Sequence, residues 1–207
     1  MSDWSQPPCS TLVVGMTGSG KTTFGLRYLL NVSAACRFVF DDLGQIAARL
    51  GKRQAATSFE LEAALSTRWV LFNPHRMFPG QVEDAFAFFC QWAFDASRRG
   101  PGKKVFFADE VWRWCSPNAV PRELAMLAQM GRAESMELIT ATQLPHRVNA
   151  SITGQSTELI CFRLAETLAL DRIEELGAGR IQVQTLPLGR FVALNRLSGA
   201  TLAGSVF

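Results

Sequence analysis

The stretch TLVVGMTGSGKTT, residues 11–23, decides the fold of this chain. It begins with an apolar run over residues 11–14 that indicates a buried strand, and a helix is predicted over residues 22–30. Between the two, residues 15–22 fit the pattern G-x-x-x-x-G-K-[ST] at every position. Glycines at such a turn let successive backbone N–H groups surround an anion, and the helix N-terminus adds a favourable dipole. The stretch therefore predicts a phosphate-binding loop between a strand and a helix.

This loop has the side chains that a nucleoside triphosphate and its metal ion require. Lys21 can reach the β- and γ-phosphates, and the Thr22 hydroxyl can ligate Mg²⁺. We therefore expect ATP and Mg²⁺ as cofactors. The expected nucleotide-binding residues are Gly15, Met16, Thr17, Gly18, Ser19, Gly20, Lys21, Thr22 and Thr23.

A second apolar strand is predicted over residues 105–108, and it ends in the adjacent acids Asp109 and Glu110. Ligands of open α/β folds bind at the carboxyl ends of the strands, so both acids are expected beside the phosphate loop. Asp109 is expected to hold Mg²⁺ together with Thr22. Glu110 can polarise a water molecule, which favours hydrolysis over transfer of the phosphoryl group to a substrate hydroxyl, as in kinases. The pair predicts an ATPase in which Lys21, Asp109 and Glu110 are catalytic.

Two polar residues further along the chain have alternative roles. Gln143 follows a strand predicted over residues 138–141, where it can either contact the γ-phosphate and the attacking water or cap a turn. Arg132 follows Gly131 at the end of a helix predicted over residues 121–132. Taken alone, an arginine at that position is more often a solvated residue that interacts with the last carbonyls of the helix.

The rest of the chain alternates helices with strands. Further strands are predicted over residues 37–40, 69–72 and 159–162, and further helices over residues 59–65 and 81–99. Such alternation predicts an α/β fold with a mostly parallel central sheet flanked by helices. The tail, residues 181–207, has apolar runs broken by glycines and predicts a C-terminal β-hairpin extension. We expect a short N-terminal arm, residues 1–10, and a single ATPase domain, residues 11–207.

The composition excludes several classes of protein. Of the 207 residues, 48% are hydrophobic and 19% are charged, which permits a sizeable core and excludes global disorder. No apolar run approaches the roughly 18 residues of a membrane span, and the N-terminus lacks the pattern of a signal peptide. Five cysteines without a C-x-x-C pair and only two histidines predict buried thiols rather than disulfides or a zinc site. A net charge of +3 permits a polyanionic partner without requiring one.

The order of the motifs resembles that of the FtsK–HerA superfamily of DNA-pumping ATPases. The resemblance is carried by the phosphate loop, the acid pair, Gly131 with Arg132, ATQLP at residues 141–145, ICFRL at residues 160–164 and LPLGRFV at residues 186–192. Within the superfamily, the chain is most similar to the genome-packaging ATPases of tailless icosahedral viruses with internal membranes. The resemblance covers about residues 10–195 and implies a RecA-like (ASCE) P-loop NTPase fold.

The resemblance also implies roles for single residues. In the family, an arginine in the place of Arg132 reaches the γ-phosphate of the neighbouring subunit, so Arg132 is expected to be an arginine finger in trans. Gln143 is expected to be the sensor that couples hydrolysis to movement, and Arg163 is a candidate second interface arginine. An active site shared between subunits implies a homo-oligomeric ring, a hexamer or a pentamer, around double-stranded DNA.

The implied function is packaging of a viral genome into a preformed capsid by an ATP-driven double-stranded DNA translocase. The implied partners are DNA and capsid or portal-vertex proteins, and the implied locations are the host cytoplasm and the packaging vertex of the virion. The chain departs from many translocases at Leu144, where they have arginine, and its 207 residues leave no room for the extra domains of cellular members. The alternatives are an assembly or extrusion ATPase of the zonula occludens toxin type and, from another class, a P-loop nucleotide kinase.

Three further features have open roles. The loops GKRQ at residues 51–54 and PHR at residues 74–76 are candidate DNA contacts, although each fits an ordinary solvated loop better. Trp112 and Trp114 are two residues apart and cannot share a helix face. They are expected either to pack in the core or, for one of them, to lie at a subunit contact.

Overall fold

The computed structural model describes residues 9–206, and its strands form one eight-stranded sheet. The strands are β1 (Ser10–Val14), β2 (Cys36–Phe40), β3 (Trp69–Phe72), β4 (Lys104–Ala108), β5 (Met136–Thr142), β6 (Glu158–Phe162), β7 (Arg190–Asn195) and β8 (Thr201–Ser205). Their order across the sheet is β3-β2-β4-β5-β1-β6-β7-β8. Strands β1 to β6 run parallel to one another, and β7 and β8 continue the sheet as an antiparallel hairpin. The predicted mostly parallel sheet and the C-terminal hairpin are therefore confirmed.

Strand β5 lies between the strand that leads into the phosphate loop, β1, and the strand that ends in the acid pair, β4. The three strands are parallel, with Val14 beside Thr142 and Ala108 beside Thr140. Their last residues therefore meet at one end of the sheet, called here the carboxyl end, and their first residues meet at the opposite, amino end. The inserted strand is the arrangement of the predicted RecA-like fold, and it brings Gln143 between the loop and the acids.

Helices cover both faces of the sheet. In the described residues they are α1 (Lys21–Asn31), α2 (Gln45–Leu50), α3 (Ser58–Leu65), α4 (Val82–Ser97), α5 (Arg122–Met130), α6 (Ala150–Gln155), α7 (Thr167–Glu175) and α8 (Arg180–Gln184). The sequence predicts α1, α3, α4 and α5 to within two residues at each end. It does not predict α2, α6, α7 and α8, of which all but α7 have six residues or fewer.

Residues 181–184, at the start of the predicted hairpin, are helical instead of extended. Val183 is 1% exposed and packs with Leu176 and Leu194, whereas Ile181 is 76% exposed. A strand would place these two residues on the same face, because its side chains alternate with a period of two. The helical turn buries one and leaves the other in water. The hairpin itself begins only at Arg190.

The two faces of the sheet have separate cores. On one face, α1 and α2 pack on strand residues such as Val13, Phe107 and Ile139. On the other face, α3 to α6 cover a cluster rich in aromatic side chains, which includes Phe40, Phe72, Phe86, Phe89, Phe106 and Trp114. A third cluster lies under α7 and α8. Because a close-packed interior has low compressibility, these cores hold the strand ends in fixed relative positions.

The predicted arm, residues 1–10, lies outside the described residues except for its last two. Of these, Ser10 already belongs to β1, so the strand begins one residue earlier than the sequence predicts. Within residues 9–206, no helix is long and apolar enough to cross a membrane.

Candidate functional site

The loop between β1 and α1 has the backbone of an anion-binding turn. Gly18 and Gly20 have φ angles of 75° and 116°, which side chains with a Cβ atom rarely adopt. Helix α1 begins directly after Gly20, without a side-chain cap and without an acidic residue in its first turn. Its first N–H groups and the positive end of its dipole are therefore available to a phosphate.

The C-terminal part of the chain supports this loop from behind. The N–H of Gly189 donates to the carbonyl of Ser19 at 3.0 Å. A Cβ atom on Gly20 would lie 2.8 Å from a methyl group of Val206, and one on Gly15 would lie 2.6 Å from the Cβ of Phe162. These glycines are thus required by packing as well as by the turn. Sequence reasoning did not identify Gly189, Phe162 or Val206 as supports, because no local pattern links them to the loop.

Two surfaces of the loop differ in exposure. Met16, Thr17 and Gly18 are exposed, so the outer side of the loop faces solvent. The hydroxyl of Ser19, by contrast, is buried and has no hydrogen-bond partner among the described residues. A buried hydroxyl without a partner costs free energy, which a bound phosphate oxygen would recover. The loop therefore fits a phosphate group.

Lys21 is held over the loop by two oxygen atoms. Its side chain is only 5% exposed, and its Nζ lies 3.5 Å from Glu110 Oε1. The same ammonium group donates to the carbonyl of Met16 at 3.2 Å. The lysine from one motif and the second acid from another thus meet in one site, as the sequence predicts from the parallel strands.

Thr22 and Asp109 are suited to hold a magnesium ion. The Thr22 hydroxyl donates to Asp109 Oδ2 at 2.8 Å. Mg²⁺ prefers hard oxygen ligands in an octahedron with bonds of about 2.1 Å, which places adjacent ligand oxygens about 3 Å apart. The residues present therefore fit the metal in both chemistry and spacing.

Glu110 and Gln143 connect the remaining groups of the site. The backbone N–H of Gln143 donates to Glu110 Oε2 at 3.1 Å. The Gln143 side-chain oxygen accepts a hydrogen bond from the Thr17 hydroxyl at 2.5 Å. Glu110 itself has φ 48° and ψ 50°, a left-handed conformation that is uncommon for a residue with a side chain. The end of β5 therefore contacts both the acid and the loop, and the sensor role of Gln143 stays a prediction.

Arg132 lies at the amino end of the sheet, away from these groups. It belongs to a 3₁₀ turn, Gly131–Glu134, between α5 and the start of β5. The seven residues of β5 separate this turn from Gln143, which corresponds to about 20 Å of extended chain. Arg132 is exposed, and its side chain makes no hydrogen bond or ion pair with the described residues. It therefore cannot reach the phosphate loop of its own chain.

Comparison with known proteins gives a clear answer for the fold. No family model matches the chain, and no curated protein matches it by sequence. Among solved structures, the chain is similar to the genome-packaging NTPase B204 from Sulfolobus turreted icosahedral virus 2 in complex with ATP-gammaS, with a TM-score of 0.79 and 18% identity. The match covers 98% of this chain and 100% of that one.

Two similar structures come from other systems. The bacterial conjugative coupling protein TrwB matches with a TM-score of 0.70 and 9% identity, over 98% of this chain and 85% of that one. The secretion ATPase EccC from Thermomonospora curvata (ATPases 2 and 3) matches with a TM-score of 0.61 and 17% identity, over 96% of this chain and 36% of that one. The chain shares its fold with these three proteins. The resemblance expected from the motifs is confirmed at the level of the fold.

The other residues singled out in the sequence have different surroundings in this fold. Arg163 is exposed at the carboxyl end of β6, where its carbonyl accepts from the N–H of Met16 at 2.8 Å. Residues 51–54 line a groove of about 510 Å³ beside α3 and Trp69, at the far edge of the sheet from the hairpin. In the loop at residues 74–76, His75 Nε2 lies 2.9 Å from the carbonyl oxygen of Asp42. A DNA contact by either loop stays a prediction.

The two tryptophans after the acid pair have different roles. Trp114 is buried and stacks on Phe86, with ring centroids 5.2 Å apart. It is therefore a core residue. Trp112 is only partly buried, and its indole Nε1 donates to Glu110 Oε2 at 2.8 Å. The sequence did not predict this contact, because the two residues come together only through the 3₁₀ turn Val111–Arg113.

Proposed function

We propose that this protein is an ATPase that binds ATP through residues 15–23 and hydrolyses it at the carboxyl end of the sheet. The proposal is supported by the connected contacts of Lys21, Asp109, Glu110 and Gln143 around one phosphate loop. Thr22 and Asp109 would hold a Mg²⁺ ion, which would supply neutralisation of charge on the β- and γ-phosphates.

In the proposed reaction, a water molecule attacks the γ-phosphorus in line with the bond to ADP. Glu110 orients the water and accepts its proton, while the bond to the bridging oxygen breaks and ADP leaves with the electron pair. Lys21 stabilises the charge on the phosphate oxygens. Gln143 contacts both Glu110 and Thr17, so a change at the γ-phosphate is passed to the end of β5.

The site is completed by a second copy of the chain, and the position of Arg132 is the observation that carries this proposal. Arg132 lies about 20 Å from its own loop, is exposed and has no side-chain partner among the described residues. The outer side of the loop, at Met16, Thr17 and Gly18, faces solvent. A ring in which the amino end of one sheet faces the loop of the next brings the two together. Such heterologous contacts close into rings when the rotation permits.

The ring pumps double-stranded DNA into a viral capsid, in the host cytoplasm and at the packaging vertex. This part of the proposal is supported by the similarity to B204, a genome-packaging NTPase that matches over its whole length. DNA in the central channel is held through its phosphates, with little sequence preference and with strong dependence on salt. Capsid or portal-vertex proteins are the partners that anchor the ring.

The test combines DNA stimulation with subunit mixing. The ATPase rate of the purified protein should rise with double-stranded DNA and fall as the salt concentration increases. Arg132→Ala and Lys21→Ala variants should each be inactive, and mixing them should restore activity, because about a quarter of random interfaces then join an intact loop to an intact arginine. Arg68→Ala, another exposed arginine at the amino end, is the matched control and should keep its activity. Absence of rescue at every mixing ratio would count against a shared site.

The similarity to TrwB and EccC makes an assembly or extrusion ATPase the second candidate. An ATPase of this kind would respond to a membrane or protein partner rather than to free DNA. Tight association of the purified chain with lipid vesicles, together with a rate that DNA does not change, would favour this candidate. A rate that depends on a nucleoside monophosphate would instead indicate a nucleotide kinase.

A further inference from the structure

The carboxylate of Glu110 is held asymmetrically. Its Oε2 atom accepts two hydrogen bonds, from the Trp112 indole at 2.8 Å and from the Gln143 N–H at 3.1 Å. Its Oε1 atom faces the phosphate loop, where Lys21 Nζ lies 3.5 Å away. One oxygen is therefore occupied by N–H donors, and the other is directed at the place where a water molecule would attack.

The indole that holds Oε2 is itself fixed in place. Trp112 lies in the 3₁₀ turn Val111–Arg113, directly after Glu110. Its ring is partly buried, and the guanidinium group of Arg147 lies 5.7 Å from the ring centroid. A cation at this distance over an indole is attracted by the electrons of the ring. Arg147 follows Gln143 by four residues, so the segments after β4 and β5 both contribute to the position of the acid.

Trp114, two residues further, provides a natural contrast. Its indole Nε1 is buried but donates no hydrogen bond to the described residues. The ring packs between Phe40 and Phe86, at 5.2 Å from each centroid. Trp114 therefore contributes its ring, which also lies 4.6 Å from the guanidinium group of Arg113, whereas Trp112 contributes a donor to the acid of the site.

We propose that Trp112 is a positioning residue for the hydrolytic carboxylate: its indole N–H fixes Glu110 Oε2, so that Oε1 is presented to the attacking water. The inference rests on the proposed function, because it requires Glu110 to act on water. A second donor matters here because the Glu110 backbone is in the left-handed region, a strained conformation that persists only where surrounding contacts hold it. The donor pair selects one rotation of the carboxylate, and misplacement by about 1 Å costs roughly a hundredfold in rate.

The test compares Trp112→Phe with Trp114→Phe, since both replacements keep an aromatic ring and remove an indole N–H. Trp112→Phe should lower kcat by about tenfold or more, because one hydrogen bond to a charged group is lost. The affinity for a non-hydrolysable ATP analogue should not change, since the phosphate loop is untouched. Trp114→Phe should keep kcat within about twofold, because its N–H has no partner to lose. Thermal unfolding of both variants shows whether either change acts through the fold.

A double-mutant cycle separates positioning from a general structural role. In single-turnover measurements on the Glu110→Gln background, the further change Trp112→Phe should lower the rate by less than about twofold, because the carboxylate that it positions is gone. An equal loss in both backgrounds would overturn the proposal, and so would a Trp112→Phe variant that hydrolyses ATP as fast as the wild type or faster. A wild-type protein without ATPase activity, or a fully active Glu110→Gln variant, would instead overturn the proposed function itself.

Discussion

Glu110, which follows β4, and Glu137, which lies in β5, are two carboxylates that differ in position, in exposure and in their partners. Glu110 lies at the carboxyl end, its side chain is 28% exposed, and its Oε1 lies 3.5 Å from Lys21 Nζ. Glu137 lies near the amino end and is fully buried. Its Oε1 accepts from Tyr28 at 2.6 Å and from Cys9 at 3.4 Å, and its Oε2 pairs with Lys103 at 2.5 Å.

The difference indicates that Glu137 contributes to stability and that Glu110 contributes to activity. Around Glu137, Oε1 accepts two hydrogen bonds and Oε2 forms an ion pair with Lys103, which joins β5 to α1 and to the segment before β4. Around Glu110 one oxygen can exchange its partner when a nucleotide arrives. Buried charges with complete sets of partners contribute to the folded state, whereas incompletely paired groups in an open site are the ones that can do chemistry.

The largest expected effect is that of Glu110→Gln on activity. Removing the base should lower kcat by about 10²–10⁴-fold, the usual contribution of a general base. Nucleotide affinity should change little, and the free energy of unfolding should change by less than about 1 kcal/mol, because the group is partly exposed. Steady-state kinetics and chemical unfolding measure the two effects. A large loss of stability without a loss of kcat would contradict the contrast between Glu110 and Glu137.

Glu137→Gln should have the opposite result. It leaves the Lys103 ammonium without its carboxylate, and breaking a buried pair costs about 3–5 kcal/mol. Since Lys103 is 21% exposed, we expect a smaller loss of about 2–3 kcal/mol in the free energy of unfolding. The kcat of the protein that remains folded should match the wild type. Urea unfolding and active-site-normalised kinetics would show this, and a selective loss of kcat would contradict it.

Tyr28→Phe tests the contacts of Glu137 through a smaller change, the loss of one hydroxyl group. It removes the hydroxyl that donates to Glu137 at 2.6 Å and that accepts from Lys103 at 3.4 Å. A hydrogen bond to a charged group contributes about 1.5–3 kcal/mol, so a loss of about 1–2 kcal/mol is expected after the Lys103 pair compensates. Differential scanning calorimetry measures the shift in Tm. An unchanged Tm would mean that the hydroxyl contributes nothing to the network.

The smallest expected effect is a difference in pH dependence. Burial and the charge of Glu137 raise the pKa of the Cys9 thiol from 9.0 to about 12. The folded protein therefore keeps a proton that the unfolded chain loses, so this stabilisation is complete below pH 9 and is lost as the pH rises towards 12. Unfolding free energies measured between pH 8 and pH 9 should fall less steeply in Cys9→Ser, by under about 1 kcal/mol per pH unit. Identical slopes for both proteins would mean that the Cys9 thiol has the same pKa in the folded and the unfolded protein.

The parts of the fold that the sequence predicts are those with strong local patterns. The apolar run before Gly15, the loop pattern and the acids after Ala108 are each contiguous, so strand, turn and site follow directly. The helices that were not predicted are mostly short, and three of the four have only one or two buried residues. In α8, Ile181 and Val183 are β-branched and favour a strand, but the burial of Val183 favours a helical turn.

The residues of the candidate site likewise include some that a local sequence pattern identifies and some that it does not. The sequence identifies Lys21, Asp109, Glu110 and Gln143 because each ends a pattern at the same end of a parallel sheet. It does not identify Trp112 or Val206, because their contacts depend on a 3₁₀ turn and on a hairpin that returns from the far end of the chain. Long-range packing has no local signature, so only the three-dimensional arrangement reveals it.

The contact between the hairpin and the phosphate loop has a mechanical consequence. Val206 follows β8 directly and fills the space behind Gly20, and the turn before β7 bonds to Ser19 through Gly189. The N–H of Val206 also donates to the carbonyl of Gly189 at 2.9 Å, so the two contacts are joined. A displacement of β8, at the outermost edge of the sheet, would therefore act on the phosphate loop at two residues, Gly20 and Ser19.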